Sequence, residues 1–592
     1  MKVTAKHIIF LLLVVLLSLP TFQHAVKWFN IPPLDGDFVL ADRPKYTWQT
    51  WMDGSFQNGF DRYIEDHIGF RPFFVRLNNQ IDFDLFGKAN AEGVVVGKNN
   101  MLYEYDYIRA FTGGDFIGEA TIDKKLLRLQ FIHQYLKENF DIDFLLVLEP
   151  GKARTYPENI PDWYLKHGKS ISNYEYILSK AQDLGIPLLD LNHIFVEAKD
   201  TVSYPLYPRY GIHWSEHTMP FVADTLIRFL ENLRQIDMPE FFIEEVKITD
   251  SLADSDYDVG NTINLLYRLP HQPMPYPKFA FGSEMGKVRP MVLAISDSYY
   301  WNFFNTRIPK HLFANEAFWY FNAKVYPDFY FCEKWTRDLD LKTEIEKQDI
   351  IILSVTERFL YKFDWGFIDQ LYELYTPNYT GDIVYKLENQ IRLDAGWFDE
   401  IVQKSAKQEL TLEEAIHKEA YYQAWVLEPE TFLTWYGREH FRSVITGDPK
   451  WAAAVKTKAE AARIRFEEQL EKDADYIFNN EHPEIFRLNL LISQHSSAIR
   501  SDSAWLNEVK AKAAYFRMAF EDMIKVDAEF LARQNASEDP LRKERISYYE
   551  QQILGDPAWL ESVTKKAQEQ GKTTEQMIRE DAIYMVDQEP KR

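Results

Sequence analysis

Cysteine is almost absent from this 592-residue chain, in which Cys332 is the only one. A single thiol excludes an intrachain disulfide and a cysteine-based metal cluster. Positive charge is also scarce, since the formal net charge is −23 at pH 7. This charge argues against nucleic acid as a partner, because binding to phosphates needs a positive field. The sequence also lacks a G-x-x-x-x-G-K-[ST] phosphate loop and a dinucleotide-binding fingerprint.

The length and composition are those of a folded protein with more than one domain. Hydrophobic residues make up 46% of the chain and aromatic residues 15%, which is more than disordered segments contain. A single hydrophobic core stops growing at about 250–300 residues, so this chain is too long for one core. We therefore expect at least two domains.

A long apolar run lies at the N-terminus, in MKVTAKHIIFLLLVVLLSLPTFQHAVKWF. Lys2 and Lys6 precede the apolar stretch Ile8–Leu19, which is the layout of a signal peptide or a signal anchor. Because a small-x-small cleavage site does not follow clearly, an uncleaved anchor over residues 1–29 is favoured over a removed signal peptide or a buried core helix. We expect a bacterial inner-membrane protein with a single-pass anchor and its main domains on the outer, periplasmic side.

Helical patterns alternate with short apolar runs from about residue 120 onward. Such alternation predicts an α/β sandwich with a mainly parallel sheet. The predicted strands are 143–150, 186–191, 289–296 and 349–355, and the predicted helices are 124–140, 172–184 and 215–235. In such sheets, functional residues collect in the loops that follow the carboxyl ends of the strands.

The C-terminal region 390–592 is predicted to be an all-α array of four copies of a 54-residue repeat. Aspartate is a good helix N-cap and the apolar residues have helical spacing, so each copy is expected to form roughly two or three helices. The tryptophan and Ile/Val stripe is interpreted as core between helices rather than a ligand-binding box, which makes the region a scaffold or docking module. The copies are marked by Asp394, Trp397 and Ile401; Asp448, Trp451 and Val455; Asp502, Trp505 and Val509; and Asp556, Trp559 and Val563.

The segment YPRYGIHWSEHTM, residues 207–219, allows two kinds of chemistry. His213, Glu216 and His217 form the H-x-x-E-H pattern of inverted zinc peptidases. Two histidines at this spacing face one metal only when both lie on one helix. A proline and a glycine before His213, with Ser215 as the helix N-cap after it, place His213 on a loop. We therefore predict no metal site and treat His213 as a base that needs a nucleophile from elsewhere.

A nucleophile is available in MVLAISDSYYWNFF, residues 291–304. Ser298 follows a predicted strand and precedes a predicted helix, whose first amides could bind an oxyanion. Serine becomes nucleophilic only when a base takes its proton, and His213 is the histidine that is similarly placed after a turn signal. The alternative is that the Ser-Asp-Ser sequence only caps the helix.

Several blocks of the sequence resemble one family of enzymes. SDSY (296–299) resembles the G-D-S-[FY] nucleophile block of SGNH hydrolases, and GIHWS (211–215) resembles the D-x-H-W-[NST] block of one branch. That branch is the AlgX/AlgJ-type alginate O-acetyltransferases, which YIEDHIGFR (63–71) and PGKARTYPENIP (150–161) also resemble. The resemblance implies an SGNH-like three-layer α/β sandwich over residues 30–385, and the C-terminal repeats lie outside it.

Two positions depart from the family's blocks. Gly211 stands where the family has an aspartate two residues before the histidine, so the carboxylate that would orient His213 is missing from its expected place. Loss of that group from a triad costs about 10⁴ in rate. Asp190 and Glu216 are the candidates to replace it from another loop. Ser296 stands where the block has its leading glycine, which predicts an altered oxyanion turn.

The resemblance implies O-acetyl transfer to, or removal from, a cell-envelope or exported polysaccharide. Ser298 would carry the acetyl group as an ester, with His213 as base and then acid. A membrane-bound acyltransferase partner is implied as the source of acetyl groups, and no cofactor is implied. Core packing is the alternative for the first four candidates below, and a solvated loop for the last three. The candidates to line the cleft or stack on sugar rings are Trp214, Tyr299, Trp301, Trp319, Lys152, Arg154 and Tyr156.

Two other functions fit the same residues. A catalytically weak or inactive carbohydrate-binding or assembly protein of the envelope would account for Gly211 and for a helical array that recruits partners. A simple esterase would use Ser298 and His213 but would release acetate to water without an acceptor sugar.

Overall fold

The computed structural model describes residues 5–36, 39–166, 168–537, 540–570 and 572–587. It divides into two compact units, Met1–Asp369 and Gln370–Arg592. Residues 370–385, which the sequence analysis assigns to the α/β domain, thus fall within the second unit. Lys2 of the predicted anchor lies outside the described residues.

The first unit contains all the described strands and the helices that surround them. Its strands are β1 (Val94–Val96), β2 (Leu102–Glu104), β3 (Asp143–Glu149), β4 (Leu188–Asp190), β5 (Phe241–Thr249), β6 (Met274–Phe281), β7 (Val292–Ser296), β8 (Ala317–Tyr320), β9 (Lys324–Tyr326) and β10 (Ile350–Thr356). Its helices are α1 (Ala5–Val26), α2 (Trp48–Met52), α3 (Ser55–His67), α4 (Arg71–Phe86), α5 (Tyr105–Thr112), α6 (Glu119–Phe140), α7 (Lys152–Thr155), α8 (Asp162–Leu165), α9 (Asn173–Asp183), α10 (Leu191–Ala198), α11 (Met219–Arg234), α12 (Asp254–Thr262), α13 (Tyr300–Asn305), α14 (Ile308–Leu312), α15 (Phe329–Cys332) and α16 (Leu341–Glu346).

The core of this unit is a six-stranded sheet in the order β4-β3-β10-β7-β8-β9. All neighbours are parallel except β8 and β9, which form an antiparallel pair at one edge. The three central strands, β3, β10 and β7, are buried along their whole length, as expected of strands covered on both faces. Their register brings Glu149, Ser296 and Thr356 together at the carboxyl ends of the strands.

The predicted α/β organisation with a mainly parallel sheet is confirmed. The four predicted strands correspond to β3, β4, β7 and β10, and two of the predicted helices to α6 and α9. The third predicted helix begins later than expected, because a short 3₁₀ turn at Glu216–Thr218 precedes α11. The site loops follow β7 and precede α11, as the sequence pattern predicts.

The N-terminal helix α1 contains a segment, Lys6–Val26, that is long and apolar enough to cross a membrane. Its apolar side chains are almost all exposed, so a buried core helix is not what α1 forms here. Length, composition and exposure are compatible with the predicted anchor.

Among the described residues, the regular elements of the second unit are all helices, which confirms the predicted all-α region. Helix α17 (Phe367–Tyr375) crosses the boundary between the units. The others are α18 (Ile383–Leu393), α19 (Ala395–Gln408), α20 (Leu412–Leu427), α21 (Pro429–Gly447), α22 (Pro449–Ala462), α23 (Phe466–Glu481), α24 (Pro483–Ser501), α25 (Ser503–Tyr515), α26 (Phe520–Ser537), α27 (Pro540–Gly555), α28 (Pro557–Gln570) and α29 (Thr574–Asp587).

The aspartates that mark the sequence repeat cap helices. Each accepts a hydrogen bond from the amide of the tryptophan three residues later, at the starts of α19, α22, α25 and α28. The four Ile/Val positions are fully buried between helices, whereas Trp451 is 36% exposed and the other three tryptophans are half-buried. The β-branched residues thus form the helix core more than the tryptophans do. Four 54-residue copies stay an interpretation of the sequence.

Candidate active site

Ser298 lies in the loop between β7 and α13, at the carboxyl end of a central strand. The loop is tied to its neighbours by Asp297, whose Oδ1 accepts the Tyr299 amide (2.9 Å) and whose Oδ2 accepts the Thr356 amide (2.9 Å). The Tyr299 amide, one of the amides expected to bind an oxyanion, is therefore already engaged. The serine side chain remains half-buried and faces the loop that carries His213.

His213 contacts Ser298 at the carboxyl end of the sheet. Its Nε2 lies 3.0 Å from the Ser298 Oγ, and its Nδ1 lies 2.8 Å from Oδ2 of Asp258. With the Nδ1 proton donated to the carboxylate, Nε2 is the nitrogen that accepts the serine proton. The two residues predicted as nucleophile and base, which are 85 positions apart in the chain, are thus brought into hydrogen-bond contact.

Asp258 is the residue that the sequence analysis missed. The carboxylate that is missing two residues before His213 is replaced by Asp258 on α12, which neither of the proposed substitutes anticipated. Its other oxygen, Oδ1, accepts the amides of Ile212 (2.9 Å) and Val259 (2.7 Å), which fixes the carboxylate against the histidine loop. Asp258 is one of several aspartates in DSDYDVGN, and neither spacing nor pattern in the sequence distinguishes it from the others.

The two proposed substitutes for that carboxylate lie elsewhere. Asp190 caps α10 by accepting the His193 amide, and it also accepts a hydrogen bond from the hydroxyl of Tyr174 (2.8 Å). Glu216 lies in the 3₁₀ turn after the histidine, and burial raises its pKa above the usual range. Each is held by local structure of its own, so neither orients His213.

Gly211 permits the close approach of α12 that delivers Asp258. A Cβ atom at this position would lie 2.3 Å from the carbonyl oxygen of Ser255 and 2.9 Å from the carbonyl carbon of Asp256. Any side chain would therefore push α12 away from the histidine loop. Gly211 and Asp258 therefore belong together. Residue 211 carries no side chain, and the carboxylate that contacts His213 comes from α12 instead.

Lys152 supports the same loop from below. Its side chain is fully buried, and its ammonium group donates to the carbonyl oxygens of Pro208 (2.8 Å), Arg209 (3.1 Å) and Gly211 (2.6 Å). Burial lowers the pKa of Lys152 to about 7, while the charge of Asp258 acts in the opposite direction. The prediction that Lys152 lines a polar cleft is wrong, because three backbone carbonyls occupy its donors.

Tyr299 and Trp214 also hold the histidine loop and do not face a cleft. The Tyr299 hydroxyl donates to the carbonyl oxygen of Ile212 (2.6 Å) and accepts from the Tyr107 hydroxyl (2.9 Å). The indole nitrogen of Trp214 donates to the carbonyl oxygen of Tyr299 (3.2 Å). Both rings are almost completely buried, so their predicted use as stacking surfaces for sugar rings is wrong.

Of the other predicted cleft residues, Arg154, Tyr156 and Trp319 have structural contacts, and only Trp301 stays a candidate for binding sugar. Arg154 pairs with Glu357 (2.5 Å), and Tyr156 is buried with its hydroxyl accepting the Leu206 amide (3.1 Å). Trp319 lies buried within β8. Trp301 is half-buried, three residues beyond Ser298, and its ring contacts those of Phe318, Tyr320, Tyr326 and Tyr330.

Two buried acids, one within the nucleophile loop and one on the neighbouring strand β3, hold this loop in place. Glu149, at the end of β3, accepts hydrogen bonds from the hydroxyls of Ser354 (2.6 Å) and Thr356 (3.0 Å). Burial raises the pKa of Glu149 well above its usual range, and the nearby Asp297 raises it further. Burial also raises the pKa of Asp297. Because the oxygens of Glu149 are engaged with β10 and those of Asp297 with β10 and the Tyr299 amide, these groups fix the loop and are not positioned for proton transfer to a substrate.

The two histidines of the H-x-x-E-H pattern have different surroundings. His213 faces Ser298 and Asp258, whereas the His217 ring packs edge-on against Tyr204, and burial lowers the pKa of His217 to about 4. Ser215 does not cap the helix through its side chain, which donates to the carbonyl oxygen of Pro205 (3.0 Å) instead. The pair therefore does not share one helix face in the way a zinc site on a helix would need.

One family model matches part of the chain. Residues 94–252 match the family model of the SGNH hydrolase-like domain of the acetyltransferase AlgX. The matched segment contains His213 and ends before both Asp258 and Ser298. A search of the curated proteins finds no match to the chain.

Solved structures similar to the chain include the O-acetyltransferase domain of Pseudomonas putida AlgJ, at 17% identity and a TM-score of 0.32, covering 47% of this chain and 98% of that chain. Pseudomonas aeruginosa AlgX matches at 12% identity and a TM-score of 0.31, covering 47% of this chain and 67% of that chain. Bacillus cereus PatB1 matches at 11% identity and a TM-score of 0.23, covering 41% of this chain and 90% of that chain.

The mainly parallel sheet, the serine after its central strand and the matched segment agree with the resemblance predicted from the sequence blocks. That resemblance is confirmed over residues 94–252, which are similar to the SGNH hydrolase-like domain of the AlgX acetyltransferases.

Proposed function

We propose that this protein transfers O-acetyl groups through an acyl-enzyme formed on Ser298. The observation that carries the proposal is the hydrogen-bonded chain from Ser298 through His213 to Asp258, with contacts of 3.0 and 2.8 Å. The match of residues 94–252 to an acetyltransferase domain supports acetyl transfer as the reaction. The two supports share His213, whereas Ser298 and Asp258 lie beyond the matched segment and are placed by the geometry alone.

In the first half-reaction, the Ser298 oxygen attacks the carbonyl carbon of an acetyl ester while its proton passes to Nε2 of His213. The C–O bond to the donor then breaks, and His213 returns that proton to the departing alcohol oxygen. Asp258 holds the ring in the tautomer that accepts the proton and stabilises the imidazolium that forms. The acetyl group is left as an ester on Ser298.

In the second half-reaction, a hydroxyl group of the acceptor gives its proton to His213 and attacks the acetyl carbonyl carbon. The bond to Ser298 breaks, and the serine oxygen recovers the proton from His213. A sugar hydroxyl as acceptor makes the protein a transferase, and water makes it an esterase. The acceptor that we propose is a cell-envelope or exported polysaccharide.

The source of acetyl groups in this proposal is a membrane-bound acyltransferase partner. Helix α1 would anchor the chain in the inner membrane, with the α/β unit on the outer side, where such a partner could reach Ser298. The apolar length of Lys6–Val26 supports the anchor. The helical unit would serve as a scaffold or docking module.

The non-catalytic alternative loses its main argument. It was favoured by Gly211, which removes the aspartate of the family's block. The contact of His213 with Asp258 provides the orienting group that this alternative takes to be missing. A binding protein would have no need to keep serine, histidine and carboxylate in hydrogen-bond contact.

The test is acetylation of the full-length protein by an activated ester such as p-nitrophenyl acetate, followed by intact-protein and peptide mass spectrometry. We expect one acetyl group on Ser298, absent from Ser298→Ala and from His213→Ala. Ser251→Ala, which removes an exposed serine, is the matched control and should keep the label. A folded protein whose label is spread over exposed side chains, with none on Ser298, would overturn the proposal. Adding oligosaccharide then separates transfer from release of acetate to water.

A further inference from the structure

The turn between α3 and α4, residues 68–70, packs directly on the C-terminal part of α1. We call this turn, together with the first four residues of α4, the corner (residues 68–74). Gly69 sits so close to α1 that a Cβ atom there would lie 2.3 Å from the carbonyl oxygen of Pro20 and 2.7 Å from the amide nitrogen of His24. One residue before the corner, the carbonyl oxygen of His67 lies 2.6 Å from Nδ1 of His24. The corner is therefore held against the last two turns of the apolar helix.

The depth of this contact follows from helix geometry. The apolar segment Lys6–Val26 has 21 residues, which at 1.5 Å per residue span about 31 Å, the thickness of a bilayer's hydrocarbon core. Pro20 lies six residues before Val26, which is about 9 Å along the axis. Contact at Pro20 to His24 therefore places the corner at or inside the outer edge of the membrane that α1 would cross.

The side chains around this contact are aromatic and exposed. Phe22 is 48% exposed, Trp28 72%, Phe29 59% and Phe74 53%. They form a connected series of rings: Phe22 lies 6.2 Å from Trp28, Trp28 6.3 Å from Phe29, Phe29 5.8 Å from Phe70, and Phe70 6.5 Å from Phe74. Tryptophan is enriched at the membrane–water interface, and phenylalanine with tryptophan forms the apolar face of segments that lie in it. The series runs from α1 to α4 without interruption.

Helix α4 is fixed to the α/β core by its other face. Asn79 donates to the carbonyl oxygens of Ile263 (3.0 Å) and Asn264 (3.2 Å), and Phe83 is buried. The exposed face carries Phe74, Ile81 (47% exposed) and Leu85 (71% exposed), at the spacing of one helix stripe. One end of α4 thus contacts the apolar helix while its body is bound to the catalytic unit.

We propose that the corner and its aromatic series are seated at the boundary between headgroups and acyl chains of the same membrane that holds α1, so that the lipid bilayer is their partner. The α/β unit is then held at the membrane by two contacts, α1 and the corner, and its orientation relative to the bilayer is fixed. The inference rests on the membrane anchor of the proposed function. The close fit of Gly69 on α1 also favours retention of α1, since a removed signal peptide would leave this packing surface bare.

The experiment uses the full-length protein reconstituted alone into vesicles of phosphatidylethanolamine and phosphatidylglycerol. A Phe74→Cys, Cys332→Ser variant carries an environment-sensitive fluorophore at the corner, and the native Cys332, which is exposed, carries it in the control. We expect the label at position 74 to be quenched by spin-labelled lipids at least about twofold more than the label at Cys332, and to be shielded from aqueous iodide.

The outcomes separate this inference from the catalytic proposal. Equal access of iodide to both labels in vesicle-bound protein would overturn the seating of the corner, and would favour a membrane protein as its partner instead. Failure of the unlabelled chain to float with vesicles would overturn the anchor, and the inference with it. Acetylation of Ser298 in the same samples reports that the variant is folded, and its loss in wild-type protein would affect only the catalytic proposal.

Discussion

Asp258→Asn is the substitution that isolates the role of the displaced carboxylate. In the wild type, Oδ1 of Asp258 accepts the amides of Ile212 and Val259, and Oδ2 accepts from His213. Asparagine keeps the two amide contacts only if its carbonyl oxygen takes the place of Oδ1. Its NH₂ group then faces Nδ1 of His213 and donates to it. The ring is forced into the tautomer with a proton on Nε2, which cannot accept the proton of Ser298.

The expected loss follows from this tautomer change. Replacement of the carboxylate by an amide in a serine triad lowers the rate by about 10⁴, which corresponds to about 5.5 kcal/mol of transition-state stabilisation. The contacts to Ile212 and Val259 are preserved, so the fold of the loop should survive. We therefore expect the rate of Ser298 acetylation to fall by about this factor while binding of the ester changes little.

The assay is the single-turnover rate of acetylation of Ser298 by p-nitrophenyl acetate. Asp256→Asn is the matched control, because this neighbouring carboxylate accepts from the hydroxyl of Tyr276 (2.6 Å) and makes no described contact with His213. We expect the acetylation rate of the control to stay within about fivefold of the wild-type rate, because this substitution leaves the triad intact. An Asp258→Asn rate that also stays within that range would refute the assignment of Asp258 as the orienting group.

Three further predictions concern the loop that carries His213 and helix α12, which packs against it. Gly211→Asp, which restores the family's residue, should lower Ser298 acetylation rather than raise it, because its Cβ would lie 2.3 Å from the Ser255 carbonyl oxygen; rescue of an Asp258 variant by Gly211→Asp would contradict this. Lys152→Met leaves the buried carbonyl oxygens of Pro208 and Gly211 without this donor and should destabilise the α/β unit by about 1–3 kcal/mol in urea unfolding; unchanged stability would show that water replaces the ammonium. Burial raises the pKa of Asp256 from 3.8 to about 6, so its protonated form stabilises the fold below pH 3.8 and that stability is lost as the pH rises through 6. Asp256→Asn should accordingly raise the urea midpoint of unfolding at pH 7 and not at pH 3.5. An equal shift of the midpoint at both pH values would contradict the raised pKa of Asp256.

The sheet and the two candidate reacting side chains were predictable because their signals are local. Buried parallel strands need continuous apolar runs, so β3, β7 and β10 appear in the sequence as such. Ser298 follows one of these runs and His213 follows a turn signal, and both lie where loops at the carboxyl ends of parallel strands gather. The helix caps Asp394, Asp448, Asp502 and Asp556 were equally readable, since a cap acts on an amide three residues away.

The surroundings of the site were not predictable in the same way. Lys152 stands in a polar block that suggests a cleft, yet it is buried beneath the loop because three carbonyl oxygens from residues 56 to 59 positions away converge on it. Trp214 and Tyr299 are residue types that commonly stack on sugar rings, but here both pack into the core between two loops. The solvent exposure of a side chain depends on the whole fold and cannot be read from the residue type.

The sequence by itself determined the α/β pattern, the helical C-terminal region, the apolar N-terminal segment and the identities of Ser298 and His213 as nucleophile and base candidates. Each of these depends on periodicity or on neighbours a few residues apart. Only the tertiary structure decided that Asp258 completes the site. The sequence shows an aspartate missing next to His213, whereas the fold shows a carboxylate that arrives from 45 residues away. It arrives there because Gly211 lacks the side chain that would keep α12 at a distance.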